Sequence, residues 1–257
     1  MTQAVQERQL RTPRKVVLAL PAYNEAPNLP ALLEAVRDAL EPHFVPYEVI
    51  VVDDGSTDGT AQVARSYARE MPIVLLQHER NQGLGVTLRD GLKAALERAS
   101  ERDVIVTMDA DATHPPGLIL RMLQLIEEGF DVVIASRFQP GARVLGVSLL
   151  RRLMTRAASL LLRALFPMGV RDFTCGFRAY RASVIATAFR TYNDAFIDQA
   201  GFQCMLDVLL KLRRFGVVMG EVPMVLRYDR KGGASKMKVW RTAWASLRLI
   251  LRRRFEG

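Results

Sequence analysis

The stretch "YEVIVVDDGSTDGTAQVARSYARE", residues 47–70, decides the fold class. It opens with a short run of apolar, mostly β-branched residues and no polar alternation, the pattern of a strand covered on both faces. Two aspartates, Asp53 and Asp54, close the run. A turn built from Gly, Ser, Thr and Asp follows, and residues 58–70 then read as a helix. A buried strand, an acidic turn and a helix in this order form one unit of an α/β sheet.

The unit repeats in both directions. Upstream, "KVVLAL" (15–20) is a strand ending at Pro21, and "NLPALLEAVRDAL" (28–40) has helical spacing with Asn28 at the cap position. Downstream, "IVLLQ" (73–77) is a strand, residues 83–100 a helix, "DVIVTMD" (103–109) a strand, residues 115–128 a helix and "DVVIASR" (131–137) a strand. Strands alternating with helices of this length predict a mostly parallel sheet with helices on both faces. Such sheets bind ligands at the carboxyl ends of their strands. Those ends carry "PAYNE" (21–25), "DDGSTDGT" (53–60), "HERNQGLG" (78–85), "DAD" (109–111) and "SRF" (136–138).

In "VTMDADATHPP" (106–116), Asp109 and Asp111 stand one residue apart where a buried strand ends, with Thr113 two further on. Carboxylates there are costly unless a cation meets them. Oxygen donors in this spacing suit a hard divalent ion that also grips phosphate. The plainer alternative is that Asp111 caps the following helix. Of the three histidines, His43 and His78 lie in loops beside strands, and His114 is read as a positioning residue.

The chain has 257 residues, enough for one large α/β domain, and a net charge of +9 points to a polyanionic neighbour. Nucleic acid, an anionic membrane surface and phosphorylated substrates all qualify. No recognition helix or aromatic-rich binding motif supports nucleic acid. Cys175 and Cys204 lie in mostly apolar stretches and read as buried thiols, in keeping with a reducing cytosol. Residues 1–14 form a polar, flexible lead-in without a signal-peptide core. No run of eighteen uncharged apolar residues marks a spanning helix.

"LPAYNE", "VVDDGSTDGT", "MDADATHPP", "ASRF" and "DFTCGFRAYR" occur in the order seen in inverting GT-A glycosyltransferases of family 2. "RRLMTR" (151–156), "FTCGFRAY" (173–180), "GFQCMLDVLLKLRRFG" (201–216) and "EVPMVLRYDRKGGASK" (221–236) further resemble the polyprenyl-phosphate mannosyltransferase group, over roughly residues 15–237. The resemblance implies a GT-A domain over 15–237, with a nucleotide-sugar half (15–137) and an acceptor half (138–237). It implies that Pro21, Tyr23 and Glu25 line the nucleotide, with Val52 and Asp54 against the base. Asp109, Ala110 and Asp111 would face the diphosphate and its Mg2+ or Mn2+. Thr113 stands where the family usually has glutamine completing the metal site. Arg137, Arg151 and Thr155 would meet an acceptor phosphate, and Arg230 would close over the donor phosphates.

Arg151 and Thr155 are i, i+4 on one helical face, so the two can address one phosphate. A phosphate acceptor is already ionised near neutral pH, its second pKa being about 6, so it needs no general base. A hydroxyl acceptor would need one, and Asp172, Asp194, Asp198 and Asp207 are the candidates in the acceptor half.

The reading favours transfer of a hexose, mannose from GDP-mannose, to a polyprenyl phosphate. The alternatives are another donor such as UDP-glucose, a hydroxyl acceptor, or a non-catalytic nucleotide-sugar binding subunit. Residues 238–257 form a basic amphipathic helix: Val239, Trp240, Ala243, Trp244, Leu247, Ile250 and Leu251 make an apolar stripe beside Arg241, Arg248 and Arg252. That helix suits a membrane interface, with packing onto the protein's own core as the alternative, and the helical stretch 148–166 could lie beside it. The implied location is cytoplasmic, peripherally attached to the cytoplasmic face of a membrane.

Overall fold

The computed structural model describes residues 15–228 and Leu249, while the side chains of Leu150 and Arg151 fall outside the description. The lead-in, Arg230 and the tail helix therefore lie outside the described residues. Leu249, the one tail residue within them, is buried in the hydrophobic core.

Seven strands form one sheet in the order β3-β2-β1-β4-β7-β5-β8. They are β1 (Val16–Ala22), β2 (Tyr47–Asp53), β3 (Ile73–Gln77), β4 (Val104–Thr107), β5 (Val132–Ser136), β7 (Arg178–Arg181) and β8 (Met219–Pro223). All neighbouring pairs are parallel except those of β7, which runs antiparallel between β4 and β5. The expected mostly parallel sheet is thus present, with β7 inserted across it. The short strands β6 (Arg143–Leu145) and β9 (Val225–Arg227) pair apart from the main sheet.

Helices cover both faces. Helix α1 (Leu29–Leu40) contacts α2 (Thr60–Tyr67) and α4 (Leu118–Glu127), whereas α3 (Leu84–Leu96) lies over β1 and β2 and meets α6 (Ala182–Tyr192), which meets α7 (Cys204–Leu212). The inward faces are aliphatic: Leu32, Leu33 and Val36 of α1 and Leu88 and Leu92 of α3 are fully or almost fully buried. Asn28 does stand at the start of α1, but its side chain makes no cap. Its amide donates to Glu25 Oε2 at 2.6 Å.

Helix α5 (Leu149–Leu165) is the exception to this packing. Ser159 and Leu162 are buried, while most of its described side chains are exposed. Ser159 Oγ donates to the Arg171 carbonyl at 2.6 Å, which fastens the back of the helix to the segment that follows it.

Candidate active site

The carboxyl ends of β1 and β2 are latched together. Asn24 N–H donates to Ser56 Oγ (2.8 Å), Glu25 N–H to Thr60 Oγ1 (2.8 Å), Ala26 N–H to Asp58 Oδ2 (3.0 Å), and Thr57 N–H to Asn24 Oδ1 (2.8 Å). The motif "DDGSTDGT" thus holds the "YNEA" loop in place. Gly55, at φ +69°, lets the acidic turn approach the next loop: a Cβ there would lie 2.5 Å from the Arg80 carbonyl carbon.

Asp53 and Asp54 have different tasks. Asp54 is buried and accepts the N–H groups of Gln82 (2.8 Å) and Gly83 (2.9 Å), with His78 Nδ1 at 2.8 Å. Its carboxylate shapes the 78–83 loop. Val52 is fully buried and packs against Gly91 of α3. Val52 and Asp54, the residues expected against the base, thus stand at the carboxyl end of β2 beside the 78–83 loop. Asp53 is fully buried. Its Oδ1 accepts the Ser56 N–H at 3.1 Å, and its Oδ2 is buried with no partner. A buried carboxylate oxygen without a donor is rare in native structures.

Beyond β4 the chain turns sharply. Ala112 adopts φ +56°, an uncommon conformation for a residue with a side chain. The turn brings Thr113 back onto Asp111, whose Oδ1 accepts both the Thr113 N–H (3.2 Å) and its hydroxyl (2.7 Å). Asp111 is buried, whereas the Asp109 side chain is 38% exposed. Thr113 is therefore placed to orient Asp111. His114 Nδ1 accepts the Asp109 N–H at 3.4 Å, and the ring lies 5.5 Å from that of Phe177, which fits a positioning role. On its other side Asp109 abuts Gly176, whose carbonyl accepts the Thr107 hydroxyl at 2.7 Å.

Below this turn lies a second hub. Asp172, fully buried, accepts Arg137 N–H (3.0 Å), Nε (2.8 Å) and Nη2 (2.7 Å), together with the Thr174 (3.2 Å) and Cys175 (3.0 Å) amides. Burial pushes its pKa up, but the Arg137 charge and these hydrogen bonds outweigh burial and hold the carboxyl below its usual range. Arg137 Nη2 also donates to Thr174 Oγ1 at 2.6 Å. The buried guanidinium of Arg178 donates to the carbonyls of Met205 (2.8 Å) and Phe173 (2.9 Å), joining this loop to the start of α7. The thiols of Cys175 and Cys204 are buried as expected, and burial pushes both pKa values up to about 12.

The other acceptor-half aspartates are also engaged. Asp194 meets Lys93. Asp198 and Asp207 share the buried Lys211 at 3.3 and 2.6 Å. The Lys93 hydrogen bond holds Asp194 below its usual range. For Asp198, burial is outweighed by the Gln199 amide and Lys211. Pro21, Tyr23 and Glu25 lie at the end of β1 and in the loop after it, Ala110 lies between the two aspartates, and Thr155 lies half-buried on α5. Among the described residues no three His, Cys, Asp or Glu side chains converge as metal ligands. A cation here would draw two carboxylates from the protein and its other donors from substrate and water, a hard-oxygen set that suits Mg2+ or Mn2+.

Residues 18–189 match the profile of the family described as glycosyl transferase family 2. An undecaprenyl-phosphate mannosyltransferase from Micrococcus luteus is 35% identical over 224 residues, spanning 87% of this chain and 87% of its own. A polyprenol monophosphomannose synthase from Mycolicibacterium smegmatis is 31% identical over 231 residues, spanning 89% of this chain and 83% of its own. Among solved structures, glucosyl-3-phosphoglycerate synthase from Mycobacterium tuberculosis, in complex with Mn2+, UDP and glucosyl-3-phosphoglycerate, aligns at a TM-score of 0.63 and 20% identity. That alignment covers 98% of this chain and 84% of that one. At that identity the likeness speaks to the fold alone, which is the GT-A arrangement.

Proposed function

Since the chain belongs to glycosyl transferase family 2, we propose that it transfers mannose from GDP-mannose, with inversion, to the phosphate of a polyprenyl phosphate. The observation that carries this reading is the state of Asp172, Asp194, Asp198 and Asp207. Each is tied to a cation, so the acceptor half offers none of them as a ready base for a hydroxyl. A phosphate monoester needs no such base. Its oxygen attacks the anomeric carbon as the bond from that carbon to the donor diphosphate breaks, and the nucleoside diphosphate leaves. The two curated relatives, both named for polyprenyl phosphates, support the same acceptor.

In this reading Asp109 and Asp111 hold a divalent cation and the diphosphate, with Thr113 and His114 orienting them. The bound cation would neutralise charge developing on the leaving diphosphate. Pro21, Tyr23 and Glu25 line the nucleotide, with Val52 and Asp54 against its base. Arg151 and Thr155 of α5 meet the acceptor phosphate. Arg137, whose Nε and Nη2 serve Asp172, has Nη1 left to join them, and Arg230 closes over the donor phosphates.

A panel of donors settles which sugar nucleotide is used. The full chain is incubated with Mn2+ or Mg2+, a short polyprenyl phosphate, and GDP-mannose, UDP-glucose and related donors in turn. Lipid-linked mannose from GDP-mannose is expected. A lipid product only from a donor other than GDP-mannose, or no lipid product from any donor, would remove the proposal.

Gly176 offers a finer test. An alanine Cβ there would lie 2.9 Å from Asp109 Oδ1 and force that carboxylate to shift. Gly176→Ala should raise the metal concentration needed for half-maximal activity about tenfold, a small displacement of a catalytic group being enough for this. An unchanged metal titration would separate Asp109 from the metal.

A further inference from the structure

The stretch "HERNQGLG" (78–85) stands at a strand end, yet the reaction proposed above uses none of its side chains. Its two glycines have a different neighbour. Gly83 precedes α3 at φ +94°, and a Cβ there would lie 2.7 Å from the Ala200 carbonyl oxygen. A Cβ on Gly85, in the first turn of α3, would lie 1.8 Å from the Gln199 carbonyl oxygen. Both neighbours are backbone atoms, so neither contact could yield by a side-chain rotation. The Gly85 N–H donates to the Ala200 carbonyl at 2.9 Å. The first N–H groups of a helix have no partner within it, and here a carbonyl from the acceptor half supplies one.

The segment that supplies it is pinned at three places. Lys93, towards the far end of α3, meets Asp194. Phe196 is fully buried against Phe189 and Tyr192 of α6, with ring centroids 5.1 and 6.5 Å away. Lys211 of α7, only 4% exposed, donates to the carbonyls of Ala195 (2.5 Å) and Phe196 (3.2 Å) and to Asp198 Oδ1 (3.3 Å), with Asp207 Oδ2 at 2.6 Å. A buried ammonium is costly unless charge and hydrogen bonds compensate it, and most of the compensation here comes from residues 195–198. The segment thus runs beside α3 and reaches the carboxyl edge of the sheet at Ala200.

On the other side of that contact stand the residues assigned to the base. The Gln82 and Gly83 amides donate to Asp54 (2.8 and 2.9 Å). Further along α3, a Cβ on Gly91 would lie 3.1 Å from Val52 Cγ2. The position of α3 and its leading loop therefore bears on both Asp54 and Val52.

We propose that Gly85 and Lys211 are positioning residues for the nucleotide. Lys211 holds residues 195–198 in place, Gly85 lets residues 199–200 close on the start of α3, and the seat so formed fixes Asp54 and Val52. Neither residue touches the donor. The proposal rests on the reading above that puts the base against Val52 and Asp54.

The test uses the full chain carrying Gly85→Ala or Lys211→Met, with GDP and UDP as probes, each titrated calorimetrically in the presence of Mn2+. For the nucleotide that wild type binds more tightly, each variant should bind about tenfold more weakly, a small displacement of contacting groups being enough for this. Donor KM should rise in step, acceptor KM should stay as it is, and kcat should fall by less than about threefold, the pattern of lost uniform binding. Hydrogen exchange, followed without nucleotide, supplies a second readout. In Gly85→Ala the Gln82 and Gly83 amides should exchange about tenfold faster while those of β1 and β4 keep the wild-type rate; a merely structural role would loosen all of them together.

Gly85→Ala breaks no ion pair, and Ala200 is exposed and free to move outward, so this variant decides the matter if Lys211→Met fails to fold. A folded Gly85→Ala protein with wild-type nucleotide affinity, or one whose β1 and β4 amides loosen as much as Gln82 and Gly83, would overturn the proposal alone. A wild type that binds neither GDP nor UDP would overturn the nucleotide reading and this proposal with it.

Discussion

Replacing Asp111 with alanine is expected to lower transfer about a thousandfold and leave the fold intact. Asp111 is buried at the end of β4, and Thr113 aims its carboxylate through two hydrogen bonds. It is one of only two carboxylates the DAD turn offers to a cation and diphosphate. Losing one preorganised group that stabilises developing charge costs about a hundred- to a thousandfold in rate, and losing a metal ligand belongs at the upper end. The measurement is single-turnover transfer together with Mn2+ binding followed by electron paramagnetic resonance. A variant with wild-type turnover, or a wild type indifferent to excess EDTA, would sink the metal role.

Asp172→Ala should be the most destabilising single change in the acceptor half, at about 3–5 kcal/mol. Five N–H donors lose their acceptor at once, and Arg137 is left beside a cavity without its counter-charge. Asp172→Asn keeps the shape but loses the charge, so it should fall between alanine and wild type. The pH dependence follows from the depressed pKa. In the unfolded chain Asp172 titrates near the ordinary value of about 3.9, and in the folded protein it titrates lower. Its contribution is therefore complete above that ordinary value and is lost as pH falls through the folded value. Denaturant melts from neutral pH down to pH 3 should show this loss in wild type and a shallower one in Asp172→Asn. A penalty below about 1 kcal/mol for the alanine variant would show that the pair contributes little net stability.

The strands that are legible in the sequence are those whose burial comes from their own apolar runs, such as residues 47–53 and 132–136. β7 is not among them. "RAYR" carries two arginines in four residues and becomes a strand only because β4 and β5 leave a slot of that width between them. The aspartates of the DAD turn were legible because acids at the end of a buried run need a reason. The division of labour between Asp53 and Asp54 was not. It depends on which carboxylate the amides of residues 82 and 83 reach, and that is set by Gly55 and the path of a separate loop. The pairing of Arg137 with Asp172 lies beyond local pattern for the same reason: thirty-five residues separate them. The resemblance marked Arg137 as a phosphate ligand, yet its first partner is within the protein.

The antiparallel β7 also governs the order in which this chain can become a protein. Residues 104–107 form one border of the early sheet, and their neighbour on that side, residues 178–181, emerges from the ribosome only after α5 has been made. Until then β4 presents unpaired backbone amides and carbonyls, and such a border invites pairing with other chains. Pulse-labelled ribosome-bound intermediates ending before residue 178 should therefore be more protease-sensitive and more aggregation-prone than those extending past the end of β8, where the last strand of the main sheet is in place.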